Sequence, residues 1–168
     1  TQGHAVGLDD RDVVLAVLRI GVAAAQVLAV RALVEDAIDR LLAHEFSMVC
    51  SDGGAFAVDG PTRRGSPHPR GAGTFPRVLG RYVRERKALS LASAIRKMTA
   101  VPAARVHLAD RGKLATGMAG DVVVFDAARV ADTATFANPF QYPLGIAAVV
   151  VNGGTFRGSG TVASNYTQ

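Results

Sequence analysis

The stretch that decides the fold reads Phe46-Ser47-Met48-Val49-Cys50-Ser51-Asp52-Gly53. Its apolar run, from Phe46 to Cys50, predicts a short buried strand of a parallel sheet. That strand would end in an aspartate followed by a glycine, which puts a carboxylate at its carboxyl end. In α/β barrels the side chains that carry out the chemistry gather at this end of the strands. Asp52 is therefore the first candidate for a catalytic residue.

The residues upstream of this stretch predict a helix, a strand and a second helix. Apolar side chains recur at helical spacing from Val13 to Leu18, and Gly21 would end that helix. Ala23 to Val30 predicts a short, fully buried strand, and residues 33–42 predict an amphipathic helix. The short connections favour parallel pairing through right-handed crossovers.

The residues downstream predict a long loop and then three helices. Gly53 to Gly73 is rich in glycine and proline and is longer than a simple connector, which is typical of a functional or mobile loop. Helices are predicted over residues 75–87, over residues 91–98 with Ser90 as the N-cap, and over residues 101–108.

The pattern changes near Arg111, where turn glycines begin to punctuate the chain. Strands are predicted over residues 121–126 and 146–151, and Asn152-Gly153 is a strong hairpin signal with a returning strand after it. We therefore predict two domains, residues 1–110 and a small β unit over residues 111–168.

Charge and composition narrow the classes of partner. The net charge is +5, and residues 61–97 hold ten Lys and Arg against one acid, Glu85. These cations lie among Pro and Gly or on a helix with an apolar face, which suits a solvated surface or a pocket for an anionic substrate better than nucleic acid.

The apolar run from Val13 to Val30 is interrupted and barely long enough for a membrane span. The single cysteine, Cys50, and the lack of a recognisable signal peptide predict a cytoplasmic protein.

An ordered series of motifs around Asp52 resembles one enzyme family. It continues through His68-Pro69-Arg70 and through Gly73 to Tyr82, which reads Gly-Thr-Phe-Pro-Arg-Val-Leu-Gly-Arg-Tyr. Further matches are Ala94 to Thr99, Arg111 to Leu114, Gly120 to Asp126, Val130 to Phe136 and Val150 to Gly153. Together they resemble the N-acyl-D-amino-acid deacylases (D-aminoacylases) of the amidohydrolase superfamily.

The resemblance implies an α/β fold: the last strands and helices of a (β/α)8 barrel, followed by part of a small β-sandwich. It also implies one or two zinc ions, an N-acyl-D-amino acid as the substrate, and Asp52 as both a metal ligand and the proton-transferring group. The carboxylate would take a proton from metal-bound water and pass it to the leaving amine. His68 and Arg70 are candidates for gripping the substrate carboxylate, which suits the fork of an arginine, or else are simply exposed loop residues.

The sequence departs from this family in its histidines and its length. His4, His44, His68 and His107 are its four histidines, and none of them forms the His-x-His motif of the family. A whole barrel needs about 250 residues, so we expect the C-terminal portion of an enzyme or one polypeptide of a split enzyme. Such a chain would associate with the missing N-terminal barrel portion or with itself, and alone it would not bind zinc tightly.

Two other functions remain open at this stage. The chain is a non-catalytic remnant or assembly subunit if the missing ligands are supplied by nothing else. A cyclic amidase similar to dihydroorotase or hydantoinase is the second alternative, although the string from Gly73 to Gly80 favours the D-aminoacylase branch.

Overall fold

The computed structural model describes residues 10–157, and it describes the burial of side chains over residues 24–153. It divides into two compact units, of which the first ends at Arg40 and the second begins at Leu41. His4 lies outside the described residues. The predicted boundary near residue 110 falls inside the second unit and remains a prediction.

The first helix, α1, runs without a break over Asp10–Ala43, which is 34 residues. The predicted helix end at Gly21 and the predicted buried strand from Ala23 to Val30 are therefore wrong. The run is rich in alanine, the best helix former, and one internal glycine costs a helix only about 1 kcal/mol. Val27, Leu28 and Val30 are 58%, 65% and 59% exposed, so this run is not buried within the described structure. Among residues 10–157, no helix combines the length and the apolar character that crossing a membrane requires.

The segment from Phe46 to Cys50 is not a strand in this structure, which corrects the second strand prediction. It still alternates like one: Phe46 and Met48 are 78% and 43% exposed, Cys50 is exposed, and the side chains between them are partly buried. Its one backbone bond to another element joins the N–H of Val49 to the carbonyl of Lys97 at 3.2 Å. A parallel strand needs neighbours along its edges, and within residues 10–157 no strand of the sheet pairs with this segment.

The helices downstream follow the prediction with two shifts, one at the start of the first of them and one at the end of the last, which stops three residues before the predicted end at Leu108. Helix α2, Arg70–Arg77, begins five residues before the predicted start at Phe75, and it continues into a π-helical stretch, Val78–Glu85. Helices α3, Leu91–Met98, and α4, Ala100–Arg105, complete the set. The predicted cap is confirmed, because the Oγ of Ser90 accepts the N–H of Ser93 at 3.1 Å. The buried apolar core of the described residues consists of Val78, Leu79, Tyr82, Ala94, Ala103 and Val130.

The C-terminal part of the second unit is a three-stranded antiparallel sheet of order β1-β2-β3. Its strands are β1, Val122–Phe125, β2, Ile146–Val151, and β3, Gly154–Arg157. The predicted hairpin is confirmed, since Asn152 and Gly153 join β2 to β3 with φ angles of 51° and 77°. Two successive positive φ angles are what a type I′ turn requires, and Asn-Gly tolerates them best.

Arg111 fastens this hairpin to the chain before the sheet. Its guanidinium donates to Oδ2 of Asp121 and, at 2.7 Å, to Oδ1 of Asn152. The backbone N–H of Asn152, at 2.8 Å, is the main cause that holds the pKa of the Asp121 carboxyl below its usual value, and Arg111 adds to it. These contacts make Asp121 part of the hairpin turn.

The π-helical stretch packs on the chain between β1 and β2. Arg84 donates to the carbonyl of Val130 at 2.7 Å, and Val130 is fully buried. Arg77 pairs with Asp132 at 3.1 Å. Partial burial lowers the pKa of Arg77, but its bonds to Asp132 and Tyr82 outweigh that effect and raise it. The pair between Arg77 and Asp132 therefore holds the C-terminal end of α2 in place.

Candidate functional site

Asp52 lies in the loop between the extended segment and α2, and its side chain is 82% exposed. Arg70, the first residue of α2, reaches it with two donors. Nη2 of Arg70 lies 2.6 Å from Oδ2 of Asp52, and Nε donates to the backbone carbonyl of Asp52 at 3.1 Å. The backbone of Asp52 has a φ of 47°, which a short polar residue tolerates better than most. The carboxylate is therefore both presented to solvent and held in one orientation.

A close contact between two glycines makes this approach possible. A Cβ added to Gly53 would lie 2.5 Å from Cα of Gly71, and a Cβ added to Gly71 would lie 2.6 Å from the ring of Phe56. Any side chain at these positions would force the loop away from the start of α2. The two glycines thus set the distance between Asp52 and Arg70.

His68 completes the cluster at the start of α2. Its Nδ1 accepts the backbone N–H of Arg70 at 3.0 Å, so in the neutral ring the proton sits on Nε2. The ring lies edge-on to Phe136 with 4.8 Å between centroids. Because His68 is exposed, Nε2 can donate to a ligand. The structure thereby brings together all three site residues that the sequence predicted, Asp52, His68 and Arg70.

The loop between Gly53 and His68 contacts two phenylalanines, Phe136 and Phe140, which no sequence pattern marked as site residues. Phe56 packs edge-on against Phe140 at 5.6 Å, and the guanidinium of Arg63 lies 4.4 Å from the Phe140 ring centroid. Phe136, through its edge-on contact with His68, and Phe140 hold the loop against the segment that precedes β2. The chain has only seven phenylalanines. The signal that could have found these two is their spacing of four residues.

The described residues do not fit a zinc ion by themselves. Within residues 10–157 no three His, Cys, Asp or Glu side chains lie close enough to share a metal. A zinc site needs three or four such ligands, whereas the Asp52 carboxylate is engaged by Arg70. Cys50 is a free, exposed thiol, which corrects the expectation that it is buried in a strand.

A model of the amidohydrolase family matches residues 13–156 of the chain. Among curated proteins, an N-acyl-D-glutamate deacylase of Alcaligenes xylosoxydans xylosoxydans is 50% identical over 119 residues, covering 71% of this chain and 23% of the relative. A D-aminoacylase of the same organism is 48% identical over 119 residues, with the same coverage of both chains. The chain therefore spans about a quarter of the length of these relatives.

Two solved structures of deacylases also match the chain. A D-aminoacylase described with a binuclear metal centre matches with a TM-score of 0.69 and 40% identity, over 78% of this chain and 26% of that protein. An N-acyl-D-glutamate deacylase of Bordetella bronchiseptica, complexed with zinc and a phosphonate inhibitor, matches with a TM-score of 0.66 and 43% identity, over 76% and 25%. Both likenesses extend over more than three quarters of this chain.

Proposed function

The chain belongs to the amidohydrolase family, and from that premise we propose that it is the C-terminal part of a zinc-dependent N-acyl-D-amino-acid deacylase. The reaction is hydrolysis of the amide bond to a carboxylate and a free D-amino acid. The observation that carries the proposal is the cluster of Asp52, His68 and Arg70, one exposed carboxylate beside two donors for an anionic substrate. Identity of 48% and 50% to two deacylases supports the choice of reaction.

Asp52 is the group proposed to move the proton. The carboxylate accepts a proton from the attacking water, whose oxygen then bonds to the amide carbon. The same proton passes to the nitrogen as the carbon–nitrogen bond breaks, because an amine leaves far more readily than its anion. The 82% exposure of the Asp52 side chain leaves an oxygen open to the reacting atoms.

Arg70 and His68 are proposed to bind the substrate carboxylate. Arg70 uses Nε and Nη2 on Asp52, which leaves Nη1 for a ligand in the same plane. His68 offers Nε2 beside it. A guanidinium bond to a carboxylate is stronger than a neutral hydrogen bond and fixes the orientation of the ligand. Arg70 would thus hold the substrate and the proton-transferring group at a set distance from each other.

We predict that Arg70→Ala raises the KM of the complete enzyme for an N-acyl-D-amino acid by roughly tenfold or more, because one charge-assisted bond is lost. Steady-state kinetics measure the effect. The matched control is Arg64→Ala, since Arg64 is an exposed arginine of the same loop whose side chain donates only to the carbonyl of Pro61. Equal KM values for the two variants would remove Arg70 from substrate binding.

The proposed metal is zinc, as one or two ions in the complete enzyme, and it would polarise the amide carbonyl. The description of one solved relative as a zinc complex supports this. Because the described residues of this chain offer Asp52 and no full ligand set, the other ligands would come from further barrel strands. Phe46 and Met48, on the segment that leads to Asp52, are exposed and suit an edge at which such strands join. Self-association of the chain is the alternative.

The test is an assay of the complete enzyme, or of this chain mixed with the polypeptide that carries the remaining ligands. Zinc-loaded protein should release free amine from N-acetyl-D-amino acids, and a chelator should abolish the release until zinc is restored. Turnover of hydantoins or dihydroorotate with none of the N-acyl compounds would favour a cyclic amidase instead. A folded, zinc-loaded protein with no turnover of either would leave a non-catalytic subunit.

A further inference from the structure

Lys97 is a buried cation with no acidic partner among the described residues. It lies on α3 and is 4% exposed. Its ammonium donates to the carbonyl of His44, to Oγ of Ser47 at 2.8 Å and to the carbonyl of Ser47 at 3.3 Å. An ammonium carries three N–H groups, so all of its donors are used on this one turn.

Burying a charge without an opposite charge is costly unless every donor is satisfied. An apolar side chain would fill the same space on α3 without that cost. Packing alone therefore does not explain why a charged ammonium occupies this buried position. The positions of its three acceptors indicate the role of the ammonium. Lys97 closes the turn between the end of α1 and the extended segment that leads to Asp52.

The backbone of the same residue holds the next part of the segment. The carbonyl of Lys97 accepts the N–H of Val49 at 3.2 Å, and the Ser47 hydroxyl also donates to the carbonyl of His44 at 2.9 Å. The chain from His44 to Asp52 is thus fixed near its start by Lys97 and at its end by Arg70. Among the described strands none pairs with it, so these two anchors set the path of the segment.

We propose that Lys97 is a positioning residue that places the Asp52 carboxylate for catalysis. The catalytic part of this inference rests on the proposed function, because it requires Asp52 to move the proton. The structural part does not: Lys97 should order residues 44–52 whatever the reaction is. None of the three hydrogen bonds of the Lys97 ammonium goes to Arg70 or His68, so substrate binding should not depend on it.

Lys97→Met in the complete enzyme tests both parts, since methionine keeps the unbranched stem and removes the three donors. Amide hydrogen exchange at Ser47 and Val49, whose N–H groups are bonded to the carbonyls of His44 and Lys97, should become roughly tenfold faster while exchange in α2 is unchanged. The kcat for an N-acetyl-D-amino acid should fall by about tenfold, with KM changed by less than about threefold. Arg96→Met, at the exposed neighbouring position on α3, should change neither quantity.

Ser47→Ala is the milder second variant in case Lys97→Met does not fold, because it removes one of the three acceptors. Its effects should have the same direction and be smaller. Unchanged exchange at Ser47 and Val49 in folded variants would overturn the inference. Faster exchange with unchanged kcat would restrict Lys97 to a structural role and overturn the positioning role. If Asp52→Asn is fully active, the proposed function fails, and the exchange measurement still decides whether Lys97 orders the segment.

Discussion

Asp52→Asn should lower the kcat of the complete enzyme by about 100-fold or more, because a well-placed acid–base group contributes at least that much. Asparagine keeps the shape of the side chain and one acceptor for Arg70, but it cannot take a proton from water or return one to the leaving amine. The loss should therefore fall on kcat and not on KM. Steady-state kinetics with an N-acetyl-D-amino acid measure it.

Stability does not confound this result. Both side chains of the Asp52–Arg70 pair are exposed, Asp52 by 82% and Arg70 by 46%. Exposed ion pairs contribute only about 0–1 kcal/mol to the free energy of unfolding. The matched control is Asp59→Asn, which neutralises another exposed aspartate of the same loop. Turnover of Asp52→Asn close to that of Asp59→Asn would exclude Asp52 from proton transfer.

The elements predicted well are those whose signals are local. Ser90 caps α3 because its own hydroxyl reaches a backbone N–H three residues on, and Asn152-Gly153 turns because those two residues tolerate positive φ. Both signals act within a few residues of chain. They need no partner from elsewhere, so the sequence alone predicts them.

The two strands predicted upstream of Asp52 are wrong, because a strand forms only where neighbouring strands pair with it. Ala23 to Val30 has the apolar run of a buried strand, but its alanines favour the helix in which the structure places it. Phe46 to Cys50 keeps the alternation of a strand and has no paired neighbour among the described residues. Periodicity reports the preferred shape of a segment and says nothing about whether its partners are present.

The candidate site was predictable as residues but not as a geometry. Asp52, His68 and Arg70 follow from their motifs, yet the ion pair between Asp52 and Arg70 depends on the contact between Gly53 and Gly71. Lys97 gave no signal, because a lysine on an amphipathic helix is normally solvated. Its burial depends on the turn at His44 and Ser47, which lie 53 and 50 residues away in the chain.

Gly80→Ala should destabilise the second unit by about 2 kcal/mol, because two opposing effects differ in size. Replacing glycine by alanine in a helical stretch normally stabilises by about 1 kcal/mol. At Gly80, however, the new methyl group would lie 2.7 Å from the carbonyl oxygen of Val130, which is backbone and cannot rotate away. Overpacking of this kind costs about 1–3 kcal/mol, and displacing that carbonyl also weakens its bond to Arg84, worth about 1 kcal/mol more. Denaturant unfolding of the complete protein measures the sum.

Gly54→Ala is the matched control, because nothing lies within 4 Å of a Cβ at that position and its φ is not in the left-handed region. Alanine there restricts the unfolded chain without a clash, so the free energy of unfolding should stay the same or rise by about 0.4–1 kcal/mol. The opposite signs expected for the two glycines separate steric crowding from the general effect of adding a methyl group. If Gly80→Ala were as stable as Gly54→Ala, the π-helical stretch could not lie against Val130 as closely as described.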